Sequence, residues 1–202
     1  MKIAYILFDD ITLLDFIGVY DSIGRIKSKG FIPELSWDLC GIKNSITDNF
    51  GLKIEIEKIK PNLSNYQMII IPGGFGTRKL QFDTEFIEWL KTGENIEQKV
   101  SICSGSLLLG AAGFLKGKVA TTNFNEYETL EKYCEIVSKS RIVDDGNVIT
   151  SGAVSSSLDL GLYLCQKLIG KDRAEIIRKS MDYFPSKFEI KTVANNTIAH
   201  CG

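Results

Sequence analysis

With 202 residues, 44% hydrophobic and 24% charged, the chain has the size and balance of one folded domain, residues 1–202, and not of a disordered or membrane-embedded segment. Its 24 basic and 25 acidic side chains leave a net charge of -1, which provides no electrostatic footprint for nucleic acid or anionic lipid. The five cysteines (Cys40, Cys103, Cys134, Cys165, Cys201) are scattered and odd in number, and the single histidine, His200, lies near the end, so a disulfide framework, a metal site and a Cys-His pair are not expected.

The N-terminal apolar run meets Asp9 and Asp10 too soon for a secretory leader, and a cytoplasmic chain is expected. Residues 2–8 predict a buried parallel strand, and helical spacing of apolar residues over 13–26 predicts the helix after it. Alternation over 34–42 and 52–59 predicts two half-buried strands, and 68–71 predicts a fully apolar strand stopped by Pro72-Gly73-Gly74. Asp83 is placed to cap a helix running to 94, with Phe86, Ile87 and Leu90 on one face. Residues 100–102 predict a strand that runs directly into Cys103-Ser104-Gly105-Ser106 and an apolar helix. A helix over 125–134, a hairpin of 136–143 and 148–150 around Asp145-Gly146-Asn147, and an apolar helix over 154–169 follow, with His200 and Cys201 in a mobile tail. The alternation of strands and helices predicts an α/β fold, a mostly parallel sheet sandwiched by helices.

Ligands of such sheets collect at the carboxyl ends of the strands, which directs attention to Asp15, to Gly73-Gly74-Phe75-Gly76 and to Cys103-Ser104-Gly105. A thiol at the mouth of a helix is stabilised as thiolate by unpaired N–H groups, with a pKa below about 8.5, and this predicts Cys103 as a nucleophile and the most acidic thiol. A cysteine after a strand is equally an ordinary small core residue; the Gly105 bend and the Gly73-Gly74 loop favour chemistry here. The Gly73-Gly74 backbone and the N–H group of Ser104 are candidates for binding substrate and holding its developing negative charge, and the Ser104 hydroxyl for positioning Asp15 or the thiol. Asp15, within Leu13-Leu14-Asp15-Phe16-Ile17, reads either as a helix cap or as a general acid/base whose pKa burial raises. The glycine loop lacks dinucleotide or Walker spacing, Arg78 reads as an anchoring arginine before a carboxylate binder, and Cys40, Cys134 and Cys165 read as core thiols.

The stretch Ile102-Cys103-Ser104-Gly105-Ser106-Leu107-Leu108-Leu109-Gly110-Ala111-Ala112-Gly113-Phe114-Leu115-Lys116-Gly117-Lys118-Val119-Ala120-Thr121-Thr122 resembles the nucleophile elbow, helix and following strand of the ThiJ/PfpI branch of the class I glutamine-amidotransferase-like superfamily. Within that branch it is most similar to the isonitrile hydratase group, and Thr12 to Phe16, Ile71 to Gly76 and Thr150 to Val154 match the flanking motifs. The resemblance implies a flavodoxin-like sheet, Cys103 as nucleophile with Asp15 managing its proton, a small-molecule substrate, a homodimer paired near the elbow, and hydration of an isonitrile to an N-substituted formamide without metal or organic cofactor. Two features depart from the pattern: Ser104 stands where that group usually has threonine, and Asn123-Phe124 where histidine and an aromatic are frequent. A glyoxalase-like or amidase-like hydrolase of the same superfamily, or a redox or ligand sensor built on Cys103, remains an alternative.

Overall fold

The computed structural model describes residues 1–184, 188–192 and 197–201, the last two stretches by their backbone. The first apolar run forms β1 (Lys2–Ile6), in which Ile3 to Ile6 are fully buried because the strand has neighbours on both sides. α1 (Leu13–Ser28) packs back on the sheet through Phe16, Val19, Ile23 and Ile26, one apolar stripe at helical spacing. It leads to β2 (Ser36–Gly41), parallel to β1.

The alternating stretch at 52–59 is two strands and not one. β3 (Ser45–Thr47), which the pattern did not reveal, pairs antiparallel with β4 (Lys53–Glu55), whereas β5 (Lys58–Ile59) joins the main sheet beside β2. Between them Ile56 is buried and Glu57 N–H bonds to Leu39 O at 3.1 Å, so adjacent residues serve different sheets. β6 (Met68–Ile71) is wholly buried on the other side of β1, and α2 (Thr77–Leu80) follows the glycine loop. α3 (Thr84–Lys91) is capped as predicted by the Asp83 carboxylate, which accepts Phe86 N–H at 2.9 Å.

β7 (Gln98–Ile102) pairs with β6 and gives way to α4 (Gly105–Ala111) at the Cys103 bend. β8 (Val119–Ala120) precedes a single 3-10 turn, Phe124–Glu126, and the short α5 (Tyr127–Leu130); the helix expected over 125–134 is therefore mostly turn. The first hairpin arm expected over 136–143 is split: β9 (Ile136–Val137) pairs with β8, and only the end of that stretch enters β10 (Ile142–Asp145), which forms the hairpin with β11 (Val148–Ser151), itself parallel to β7. α6 (Ser156–Ile169) is followed by α7 (Lys171–Ser180), a helix without an expectation from the sequence. β12 (Phe188–Thr192) and β13 (Thr197–Cys201) close one edge, so His200 and Cys201 lie in a paired strand instead of the expected mobile tail.

The main sheet has the order β13-β12-β10-β11-β7-β6-β1-β2-β5. The chain extends from β1 to β2 and then returns to build β6, β7 and β11 on the opposite side, with β2-β1-β6-β7-β11 all parallel. That is the flavodoxin-like order, and its reversal opens a crevice at the carboxyl ends of β1 and β6. Helices flank the sheet: α1, α6 and α7 pack together in one group, and α4 packs with α2, α3 and α5 in another. Gly18 and Gly161 bring α1 and α6 unusually close, since a Cβ on Gly18 would lie 2.2 Å from Ser157 Oγ and one on Gly161 2.6 Å from Ser22 Oγ. Among the described residues no helix is long and apolar enough to cross a membrane.

Candidate active site

Where β7 ends, Cys103 adopts a φ of 54°, a left-handed conformation that a side chain-bearing residue rarely takes unless its surroundings enforce it. Here the enforcement is visible. Cys103 N–H is shared between the carbonyls of Ser151 at 3.1 Å and Gly152 at 3.0 Å. Its carbonyl accepts from Thr122 Oγ1 at 3.0 Å and Ser106 Oγ at 3.2 Å. The next bend has to be tight, because a Cβ on Gly105 would lie 2.2 Å from Ile71 O. This strand-to-helix elbow presents the thiol at the crevice while leaving it only 4% exposed.

Asp15 comes from the first turn of α1, and it does not cap that helix. Its side chain is fully buried, and Oδ2 accepts Gly73 N–H at 3.0 Å. Oδ1 is enclosed with no hydrogen-bond partner of standard geometry, and the Cys103 thiol interacts with the carboxyl. The three groups converge on one glycine: a Cβ on Gly73 would lie 2.7 Å from Cys103 Cβ, 2.7 Å from Ser104 N and 2.9 Å from Asp15 Oδ2. The loop is also stitched to the start of α1, since Thr12 N–H bonds to Gly73 O at 2.8 Å and Gly76 N–H to Asp10 O at 3.2 Å.

Burial pushes the Asp15 carboxyl up to about 7, against the lowering effect of Gly73 N–H and the thiol. Burial and the Asp15 charge also push the Cys103 thiol up, against the opposing pull of the Asn123 amide and the N–H groups of Ser104 and Val154. The expectation that a helix mouth would depress this thiol is thereby corrected: desolvation and a like charge outweigh the donors. Two neighbouring groups that both resist ionisation titrate as a pair, and near neutral pH the pair exchanges a single proton. Cys40 and Cys165 are core thiols as predicted, raised by burial to about 11 and about 12.

The remaining predicted residues serve the site differently from expectation. Ser104 Oγ accepts Gly74 N–H at 3.1 Å and lies 2.9 Å from Thr77 Oγ1, so its hydroxyl ties the glycine loop to the elbow instead of positioning Asp15 or sulfur. The N–H groups of Gly73 and Gly74 are occupied by Asp15 and Ser104, which corrects their assignment as open donors for substrate charge: they hold the machinery in place. Gly74 is required by its φ of 136° and by Asp10 O, 2.3 Å from where a Cβ would sit. Arg78 pairs with Glu126 at 2.9 Å and lies over the Phe75 ring, in keeping with an anchoring role.

Sequence reasoning missed two of the residues that meet the sulfur. Asn123 Nδ2 donates to Cys103 Sγ at 3.4 Å, and Val154 N–H reaches it from the approach to α6. The only signal for the first was the Asn123-Phe124 departure after Thr121-Thr122. Phe75 and Phe124, which follow Gly74 and Asn123 in sequence, are 62% and 66% exposed. Among the described residues no cluster of three or more His, Cys, Asp or Glu side chains is arranged to hold a metal ion.

Residues 1–167 match the DJ-1/PfpI family. An isonitrile hydratase from Pseudomonas putida is 31% identical over 188 residues, covering 92% of this chain and 80% of that protein. A crystal structure of a ThiJ/PfpI family protein from Pseudomonas syringae superposes with a TM-score of 0.83 at 28% identity, covering 92% of this chain and 76% of that one. Drosophila melanogaster DJ-1beta, at 18% identity and a TM-score of 0.78 over 91% of this chain and 98% of its own, shares the fold. With a strained cysteine elbow, a buried carboxyl beside it and matches of this extent, the chain belongs to the DJ-1/PfpI family.

Proposed function

We propose that this chain is a cysteine-dependent hydratase that converts an isonitrile to the corresponding N-substituted formamide. The observation that carries this reading is the pairing of the elbow thiol of Cys103 with Asp15, a fully buried carboxyl whose pKa stands at about 7. Such a carboxyl can both give and take a proton at neutral pH, which hydration requires in succession. The likeness to the Pseudomonas putida isonitrile hydratase supports the substrate class.

The terminal carbon of an isonitrile accepts both a nucleophile and a proton. Cys103 sulfur forms a bond to that carbon, and the proton of the Cys103–Asp15 pair is delivered to the same carbon, leaving an enzyme-bound thioimidate. Asp15, now ionised, accepts a proton from water as the water oxygen adds to the carbon. The carbon–sulfur bond then breaks, the proton returns to the pair, and the product tautomerises to the formamide. Net consumption is one water, and the thiol is regenerated. Ser104 and Gly73 contribute by holding the glycine loop and Asp15 in register with the elbow.

Incubation with cyclohexyl isocyanide should yield the formamide, and Cys103→Ala should abolish turnover. Inactivity toward a panel of alkyl and aryl isonitriles would overturn the assignment. Hydroxyacid formed from methylglyoxal would move the protein to the glyoxalase-like reading, and no turnover of either substrate, with a peroxide-induced mass gain at Cys103, to the sensor reading.

A further inference from the structure

We propose that Asn123 is a further catalytic residue of this site, the side-chain donor that fixes the Cys103 sulfur and carries its negative charge as the bond to carbon forms and breaks. This rests on the reading of Cys103 as nucleophile and is independent of which electrophile the site accepts.

The amide of Asn123 is held at both ends. Its Oδ1 accepts Asn125 N–H at 2.9 Å, capping the turn Phe124–Glu126. Because a backbone N–H can only donate, that bond settles which end of the amide is oxygen, and Nδ2 is directed the other way, to Cys103 Sγ at 3.4 Å. The support beneath it is also fixed. Glu126 N–H bonds to Asn123 O at 2.8 Å, and the Glu126 carboxylate pairs with Arg78 at 2.9 Å, tying the turn to α2. The preceding residue, Thr122, bonds through Oγ1 to Cys103 O at 3.0 Å. The donor is thus placed by contacts that do not depend on the sulfur it serves.

Its chemical value follows from the company it keeps. The charged group acting on Cys103 is Asp15, of the same sign as a thiolate, and the nearby guanidinium of Arg78 is engaged by Glu126. Anionic sulfur in this site is therefore supported by neutral donors: the N–H groups of Ser104 and Val154 and the amide of Asn123. Of these, Asn123 is the side chain. An amide retains its protons across the whole working pH range, so it supports sulfur without competing with Asp15 for the transferred proton.

Asn123→Asp tests this directly, since it keeps the length and the capping oxygen and replaces the donor to sulfur with an acceptor. Alkylation of Cys103 in the full chain by limiting iodoacetamide, followed across neutral to alkaline pH by peptide mapping, should slow by about tenfold or more near neutrality, with its pH profile displaced upward. Asn123→Ser retains a capping oxygen but is too short to reach sulfur, and it should slow alkylation less, with thermal unfolding close to that of the parent protein. An unchanged alkylation rate and profile in either folded variant would overturn the proposal. If Cys103 of the parent protein alkylates no faster than Cys40 or Cys134, the nucleophile reading fails and the role of Asn123 falls with it. Loss of isonitrile turnover with alkylation intact would overturn the donor role while leaving Cys103 as the nucleophile.

Discussion

Asp15 sits in conflict with its surroundings, a carboxyl with one oxygen bonded to Gly73 N–H and the other enclosed without a partner. Its folded-state pKa, about 7, lies above the ordinary value of 3.8, so the protonated form favours the fold. That contribution is complete below about pH 4, declines as pH rises, and is gone above about pH 7, a change on the order of a few kcal/mol. Asp15→Asn removes the titration and should raise Tm relative to the parent protein more at pH 8 than at pH 5, while turnover falls by about two to four orders of magnitude. A Tm difference independent of pH, or retained turnover, would contradict the role assigned to this carboxyl. Cys103 and Asp15 were legible from sequence because each breaks its local pattern, a thiol at a strand-to-helix bend and an acid inside an apolar stripe. The occupied state of the glycine N–H groups and the approach of Asn123 and Val154 were not, because those contacts exist only once distant loops meet.

The placement of Asp15 depends on α1, which lies against α6 with Gly18 facing Ser157. Ser157 Oγ also donates to Leu14 O at 3.1 Å, one residue before the acid. Gly18→Ala should therefore push the two helices apart, at a cost of about 1–3 kcal/mol in unfolding free energy, and should reduce turnover because the first turn of α1 moves with it. A companion Ser157→Gly removes the clashing hydroxyl and should restore much of both; failure of that rescue would count against the crossing as the cause. At this scale, buried central strands and the Asp83-capped helix were readable because burial on both faces, or an amphipathic stripe with a cap, leaves a distinct pattern. The stretch 52–59 misled because alternation reveals which residues face inward and not which sheet they face. The stretch 125–134 misled because Asn123 caps a 3-10 turn that consumes its beginning. α7 went unseen because only Ala174 and Ile177 of its residues are buried.

For the molecule as a whole, we propose that two copies associate near the elbow. Leu14 and Ile17 stand 49% and 41% exposed on α1, on either side of Asp15 in sequence, where a lone chain would leave apolar surface in water. Sedimentation should give twice the 22.5 kDa mass of the chain, and Leu14→Glu with Ile17→Glu should shift it toward the single-chain value; a monomeric parent protein would remove the proposal. A mostly parallel sheet was anticipated from strand and helix alternation, and its flavodoxin-like form from the family resemblance, but the two strands that close the far edge were not. The partners of the Cys103 sulfur are drawn from Asp15 near the start of the chain, from Ser104, from Asn123 and from Val154. A ribosome that has released the chain only as far as α4 has made the thiol but not the donors at Asn123 and Val154 that complete its environment. Until translation passes those positions and the long-separation contacts close, Cys103 is an ordinary cysteine on a nascent chain, and the reactivity proposed for it belongs only to the completed site.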